Sequence, residues 1–180
     1  METAHQKQMR SAGTLHSIAP QLHGGRTPSR QLVHHLHRAV ANAFVLYVNC
    51  KHYHWQTRAP GFRDLHLVFG EFAEEVLDSI DRLVQRIQTV SPDLPGYLLE
   101  VIALARVAVA SPQGTMREMF GEADRNMLVA VRTVREAARV AEQQDDRGTL
   151  ELASMLAGDY ERHKLWLRDI LNTREGPQLV

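Results

Sequence analysis

With 180 residues the chain is the size of one ordinary domain. A fold of that length buries about two-thirds of the surface its unfolded form exposes, so it needs no disulfide or metal staple. Lys plus Arg and Asp plus Glu both number 21, and the resulting zero net charge excludes a uniformly basic nucleic-acid binder. The balance is uneven: Lys7, Arg10, Arg26 and Arg30 against Glu2 give residues 1–30 a net +3, while 17 basic against 20 acidic residues leave 31–180 at −3. Cys50 has no second cysteine to pair with, and residues 1–30 hold no apolar run fit for a secretory signal or a membrane span. A reducing, cytoplasmic setting is therefore expected. Nine of the ten histidines (His5, His16, His23, His34, His35, His37, His52, His54 and His66) fall in the first 66 residues, a clustering that either metal chemistry or surface composition produces.

Residues 1–28 mix Gly, Ser, Pro, Gln and His without apolar periodicity and predict a flexible arm, with Ser29 as N-cap of the first helix. From Gln31 to Thr57, Leu32, Leu36, Val40, Ala43, Tyr47 and Cys50 recur in steps of three and four on one helical face. Ala59-Pro60-Gly61 interrupts that face. A second periodic stretch runs from Phe62 to Val90 and stops at Ser91-Pro92. Leu98 to Ala110, rich in Ala and Val, predicts a brief helix inside a long connection. Thr115 to Gln144 is again helical in pattern, its methionines reading as core filling. A polar turn at Asp145-Asp146-Arg147-Gly148 precedes a last helix from about Thr149 to Asn172. The pattern predicts an all-α, ferritin-like four-helix bundle over 29–173 with one long crossover between the second and third helices, and a short C-terminal tail at 174–180.

On a wheel of 100° per residue with His66 at zero, the apolar stripe of the second helix runs from about −120° (Phe72) to about +20° (Leu77). Gly70, Asp81, Glu74 and Gln85 follow at about 40°, 60°, 80° and 100°, a polar border to that stripe. His54 continues the inward face of the first helix. His66 and Asp81 lie about 22 Å apart along one axis, too far to share an ion within one chain. If two chains pair antiparallel about a dyad near residues 73 and 74, His66 of one faces Asp81 of the other, and two equivalent sites form at the interface.

Lys51-His52-Tyr53-His54-Trp55, Pro60-Gly61-Phe62, Leu65-His66, Asp81, Arg86 and the closing His163-Lys164-Leu165-Trp166-Leu167-Arg168 together resemble Dps, the DNA-binding proteins from starved cells, or mini-ferritins. The resemblance implies a hollow homododecamer that stores iron. Ferroxidase centres at two-fold interfaces would oxidise iron(II), preferentially with hydrogen peroxide, to protect the cell and its DNA. His54 and His66 match the centre, with Asp81 supplied by the two-fold partner. Gly70 and Gln85 stand where the family pattern has Asp and Glu, so three carboxylates have become one.

Hard iron ions prefer anionic oxygen donors, and a weakened ferroxidase is expected. Two imidazoles and one carboxylate would still hold one iron or zinc ion. The other reading is a pair of hydrogen-bonded interface histidines in a structural or DNA-protecting shell that has lost ferroxidase activity. Glu74 is the nearest spare carboxylate, about 12 Å from His66 along the axis, and Trp55 resembles the tryptophan beside the family's centre. Asp145, Asp146 and Glu151 match the region of the family's acidic three-fold pores, and serve equally as helix-capping acids. His34, His35 and His37 point several ways around the helix and predict a largely solvated face. Binding to DNA, and with it a nucleoid location, would rest on Lys7, Arg10, Arg26 and Arg30 of the arm, multiplied over a shell.

Overall fold

A computed structural model describes residues 29–57, 63–91 and 102–172. Four helices account for most of them: α1 (Arg30–Gln56), α2 (Arg63–Val90), α3 (Met116–Gln143) and α4 (Arg147–Asn172). α1 packs on α2 and α3 on α4, and the two pairs join chiefly through α1 against α3. Contacts between Ser29 and Gln144, Asn42 and Thr133, and Tyr53 and Glu122 show that α1 and α3 run antiparallel. The expected arm (1–28), with Lys7, Arg10 and Arg26, and the tail (174–180) lie outside the described residues.

The helix ends follow from local chemistry. Ser29 caps α1 as expected, its hydroxyl accepting from the Leu32 N–H at 3.3 Å. Thr115 and Glu118 form a reciprocal capping box at the start of α3. The last helix begins two residues before the expected Thr149, because the Asp146 carboxylate accepts from the Thr149 N–H (3.1 Å) and hydroxyl (2.7 Å) and caps the first turn. That leaves residues 144–146 to reverse the chain, with Asp145 in the left-handed region at φ 56°. Gly148 is therefore helical, and a Cβ there would lie 2.8 Å from the Arg86 guanidinium, which bonds to Thr149 and pairs with Asp146.

The core is a continuous apolar interior in which Leu36, Leu46, Phe69, Val76, Leu83, Phe120, Met127 and Leu167 are buried. Each such side chain contributes roughly 1.5–3 kcal/mol by leaving water. At one end Phe69 sits among Tyr53, Phe72, Phe120 and Trp166, with ring centroids 5.3–6.5 Å apart. Leu77, expected at the edge of the buried stripe, is instead exposed, as are Val48, Trp55 and Leu67 of the same helix pair. The neighbouring helices of one protomer leave these four side chains open to solvent, so α1 and α2 present apolar groups outward.

The crossover departs from expectation. Residues 98–101 lie outside the described residues; 102–104 make one turn closed by the Ala105 N–H to Ile102 O, and 105–110 are irregular chain. Three buried asparagines explain why. Asn42 Oδ1 accepts from the Arg106 and Val107 N–H groups (2.6 and 3.0 Å), while its amide donates to Thr133. Asn49 exchanges bonds with Ala108 O and the Ala110 N–H, and Asn126 pairs with both main-chain groups of Ala108. Side chains of α1 and α3 thus satisfy the backbone that a helix would have satisfied internally.

Candidate metal centre

His54 comes from the last turn of α1 and His66 from the first turns of α2. Their rings stack with centroids 3.6 Å apart and 23° between planes. His54 Nδ1 lies 2.7 Å from His66 O, and His66 Nδ1 lies 2.7 Å from His54 O. A carbonyl only accepts, so each Nδ1 carries the proton, and in a neutral ring the lone pair is then on Nε2. The His54 carbonyl is one of the last four of α1 and lacks an intrahelical partner; His66 and the Thr57 hydroxyl (3.0 Å) satisfy it. The same two bonds that tie α1 to α2 therefore fix both tautomers and leave two imidazole nitrogens as donors for a metal ion.

Gly70 is part of this arrangement. A Cβ at that position would sit 3.2 Å from His54 Nδ1 and 3.4 Å from its Cε1. The His54 ring occupies the space where a side chain at 70 would begin, so the missing carboxylate and the close seating of the imidazole are two aspects of one substitution. Asp81, Glu74 and Gln85 are exposed on α2. Among the described residues no three His, Cys, Asp or Glu side chains of one protomer converge on a point. Asp81, fifteen residues beyond His66 on the same helix, lies too far along α2 to reach the histidine pair within one chain.

Trp55, next to His54, is half exposed rather than packed in the protomer core, where Trp166 takes the aromatic role. Of the acidic residues at the α3–α4 turn, Asp145 and Glu151 are exposed, whereas Asp146 is committed to Arg86 and Thr149. The solvated face expected for His34, His35 and His37 holds for His34 alone. His35 Nδ1 and His37 Nε2 are buried without hydrogen-bond partners, and burial lowers both pKa values. Cys50 is buried and its thiol is pushed up to about 12, which makes it inert.

Sequence reasoning missed the polar network beside the site. The Tyr53 hydroxyl donates to Glu122 at 2.6 Å, and Glu122 also receives the Ser111 N–H and hydroxyl. Burial alone would raise the Glu122 carboxyl, but these bonds outweigh it and hold it below its ordinary value. His163 is buried, stacked on Phe72 and bonded to Glu75 at 2.9 Å. For the asparagine contacts to the crossover, also missed, the available signal was Asn42 and Asn49, seven residues apart within an apolar stripe, where polar groups require partners.

Four helices joined by a long crossover, with a pair of imidazoles at the rim, define a ferritin-like bundle, and residues 33–175 match the ferritin-like domain family. The Dps structure from Thermosynechococcus elongatus superposes with TM-score 0.76 at 33% identity, covering 82% of this chain and 94% of that one. The Dps protein of Vibrio cholerae, described as a member of the ferritin-like diiron-carboxylate superfamily, gives 0.74 at 25% identity over 81% and 92%. The DNA protection during starvation protein of Brevibacillus brevis is 29% identical over 132 residues, 73% of this chain and 88% of that protein. The chain belongs to the Dps family of ferritin-like proteins.

Proposed function

We propose that this protein binds iron(II), oxidises it with hydrogen peroxide and stores the product inside a hollow homododecamer, shielding cytoplasmic DNA from iron and peroxide together. The carrying observation is the reciprocal His54–His66 pair, whose Nδ1 protons are spent on carbonyls and whose Nε2 atoms are left as donors. Asp81 completes the set from a two-fold partner, and the outward Val48, Trp55, Leu67 and Leu77 supply apolar area for that pairing. Two imidazoles and one carboxylate are a recurrent iron(II) set. They carry one negative charge where the family pattern carries three, so the affinity for hard cations is lower and one ion per set is the expected capacity.

In the reaction each iron(II) gives up one electron, and one peroxide accepts two as its O–O bond breaks. Two iron(II) ions are therefore consumed per peroxide. The chain's own part is to hold the two imidazoles in fixed tautomers and to bring a carboxylate opposite them. A second reading, a DNA-protecting shell without ferroxidase activity, is favoured by Gly70 and Gln85.

Anaerobic loading with iron(II), followed by peroxide and ferric absorbance, separates the two. The ferroxidase reading predicts oxidation well above buffer in the wild type and at the buffer rate in His54→Ala/His66→Ala. Wild-type protein that oxidises no faster than buffer overturns the ferroxidase reading.

A further inference from the structure

Far from the histidine pair, the first turns of α1, the crossover and the last turns of α3 border an open cavity of about 340 Å³. Arg38, Arg106 and Arg139 line it, one from each element, together with His35, Glu136 and Gln143. Three guanidinium groups face one carboxylate, a local excess of positive charge on a body that is net −3 over residues 31–180. Glu136 does not consume their donors: it lies 3.8 Å from Arg106 and 3.7 Å from His35 Nδ1, both beyond hydrogen-bond reach. Arg38 spends one N–H on His34 Nε2 at 2.6 Å, and Arg139 has no ion pair or hydrogen bond among the described residues. The buried His35 Nδ1 is likewise unpartnered.

We propose that this cavity is a binding site for a phosphate group. A guanidinium presents five N–H donors in a planar fork that matches two oxygens of an oxyanion. One fork suffices for a carboxylate, whereas three arginines from three elements lining one cavity suit the several oxygens of a phosphate. Arg139 also lines the neighbouring cavity between α3 and α4, where Glu142 and Glu161 balance Arg135 and Arg139, so the positive excess is confined to the first cavity. The site opens within two helical turns of Ser29, where residues 1–28 attach with Lys7, Arg10 and Arg26. The proposal is independent of the metal centre.

The test compares full-length wild type with Arg106→Ala/Arg139→Ala and with a control of equal charge, Arg82→Ala/Arg125→Ala, all verified as folded by circular dichroism and by mass of the assembly. One arm titrates inorganic phosphate; the other measures gel shift of a short DNA duplex across a salt series. The site predicts that the pocket variant loses at least about tenfold in phosphate affinity while the control does not. If the source is DNA, the duplex affinity falls too, and its logarithmic salt slope drops by about one per lost contact. A duplex affinity unchanged in the pocket variant, with phosphate binding lost, assigns the site to free phosphate. The proposal is overturned if wild type binds no phosphate, or if the pocket and control variants lose affinity equally.

Discussion

Asn42, Asn49 and Asn126 on one side of the bundle, and His54 and His66 at its rim, all reach across to the main chain of another segment. The asparagines spend every polar atom: carbonyl oxygens accept crossover N–H groups and amides donate to Thr133 and Ala108. The histidines spend only Nδ1 and keep Nε2. Saturated side chains are architecture, because removing one leaves buried backbone groups without partners. Side chains that are positioned but unsaturated are where a ligand can enter.

That contrast sets the order of expected effects. Asn42→Ala strands the Arg106 and Val107 N–H groups and costs roughly 2–5 kcal/mol, lowering the melting temperature by roughly 4–20 °C. A melting curve that overlays the wild type would show that the asparagine contacts carry no weight. His54→Ala removes a half-buried ring, costs about 1 kcal/mol, and abolishes iron oxidation. A melting change as large as that of Asn42→Ala would break the distinction.

Acid has the next-largest effect. Burial lowers the pKa of His35, His37 and His163 from an ordinary value near 6.5, so between that value and the lowered ones the unfolded chain binds more protons than the folded one. Stability contributed by these neutral rings is complete above about pH 6.5, is lost as pH falls through the window, and levels off below the folded values. Melting temperatures from pH 8 to 5 should trace that fall, with a shallower slope in His163→Gln; a flat profile contradicts it. Smaller still, Gly148→Ala pushes the Arg86 guanidinium from its seat against Asp146 and Thr149, for about 1 kcal/mol in thermal unfolding. Gly70→Ala forces the His54 ring to yield by a few tenths of an ångström, and is expected to slow iron oxidation with little change in melting.

The four helices were legible because steps of three and four in Leu32–Cys50 and Leu65–Ile87 encode a buried face, and Ser29 and Thr115 carry their capping chemistry in their own side chains. The path of 105–110 was not. Its alanines and Arg106 favour a helix locally, and the groups that override them, Asn42 and Asn49, lie some sixty residues away. The spacing of His54, His66 and Asp81 pointed to a shared interfacial set, but not to the exchange of carbonyl bonds. Gly70 read as a missing ligand, and in three dimensions it is also the floor on which His54 rests. Asp146 read as a pore acid or a cap; the pairing that commits it runs to Arg86, on a different helix.

Anaerobic iron(II) titration of the assembled protein by calorimetry tests the central claim most directly. The account predicts about one iron(II) per chain in the wild type, and loss of that binding both in His54→Ala/His66→Ala and in Asp81→Asn. Asp81→Asn binding iron(II) as tightly as the wild type, in an intact assembly, would contradict it.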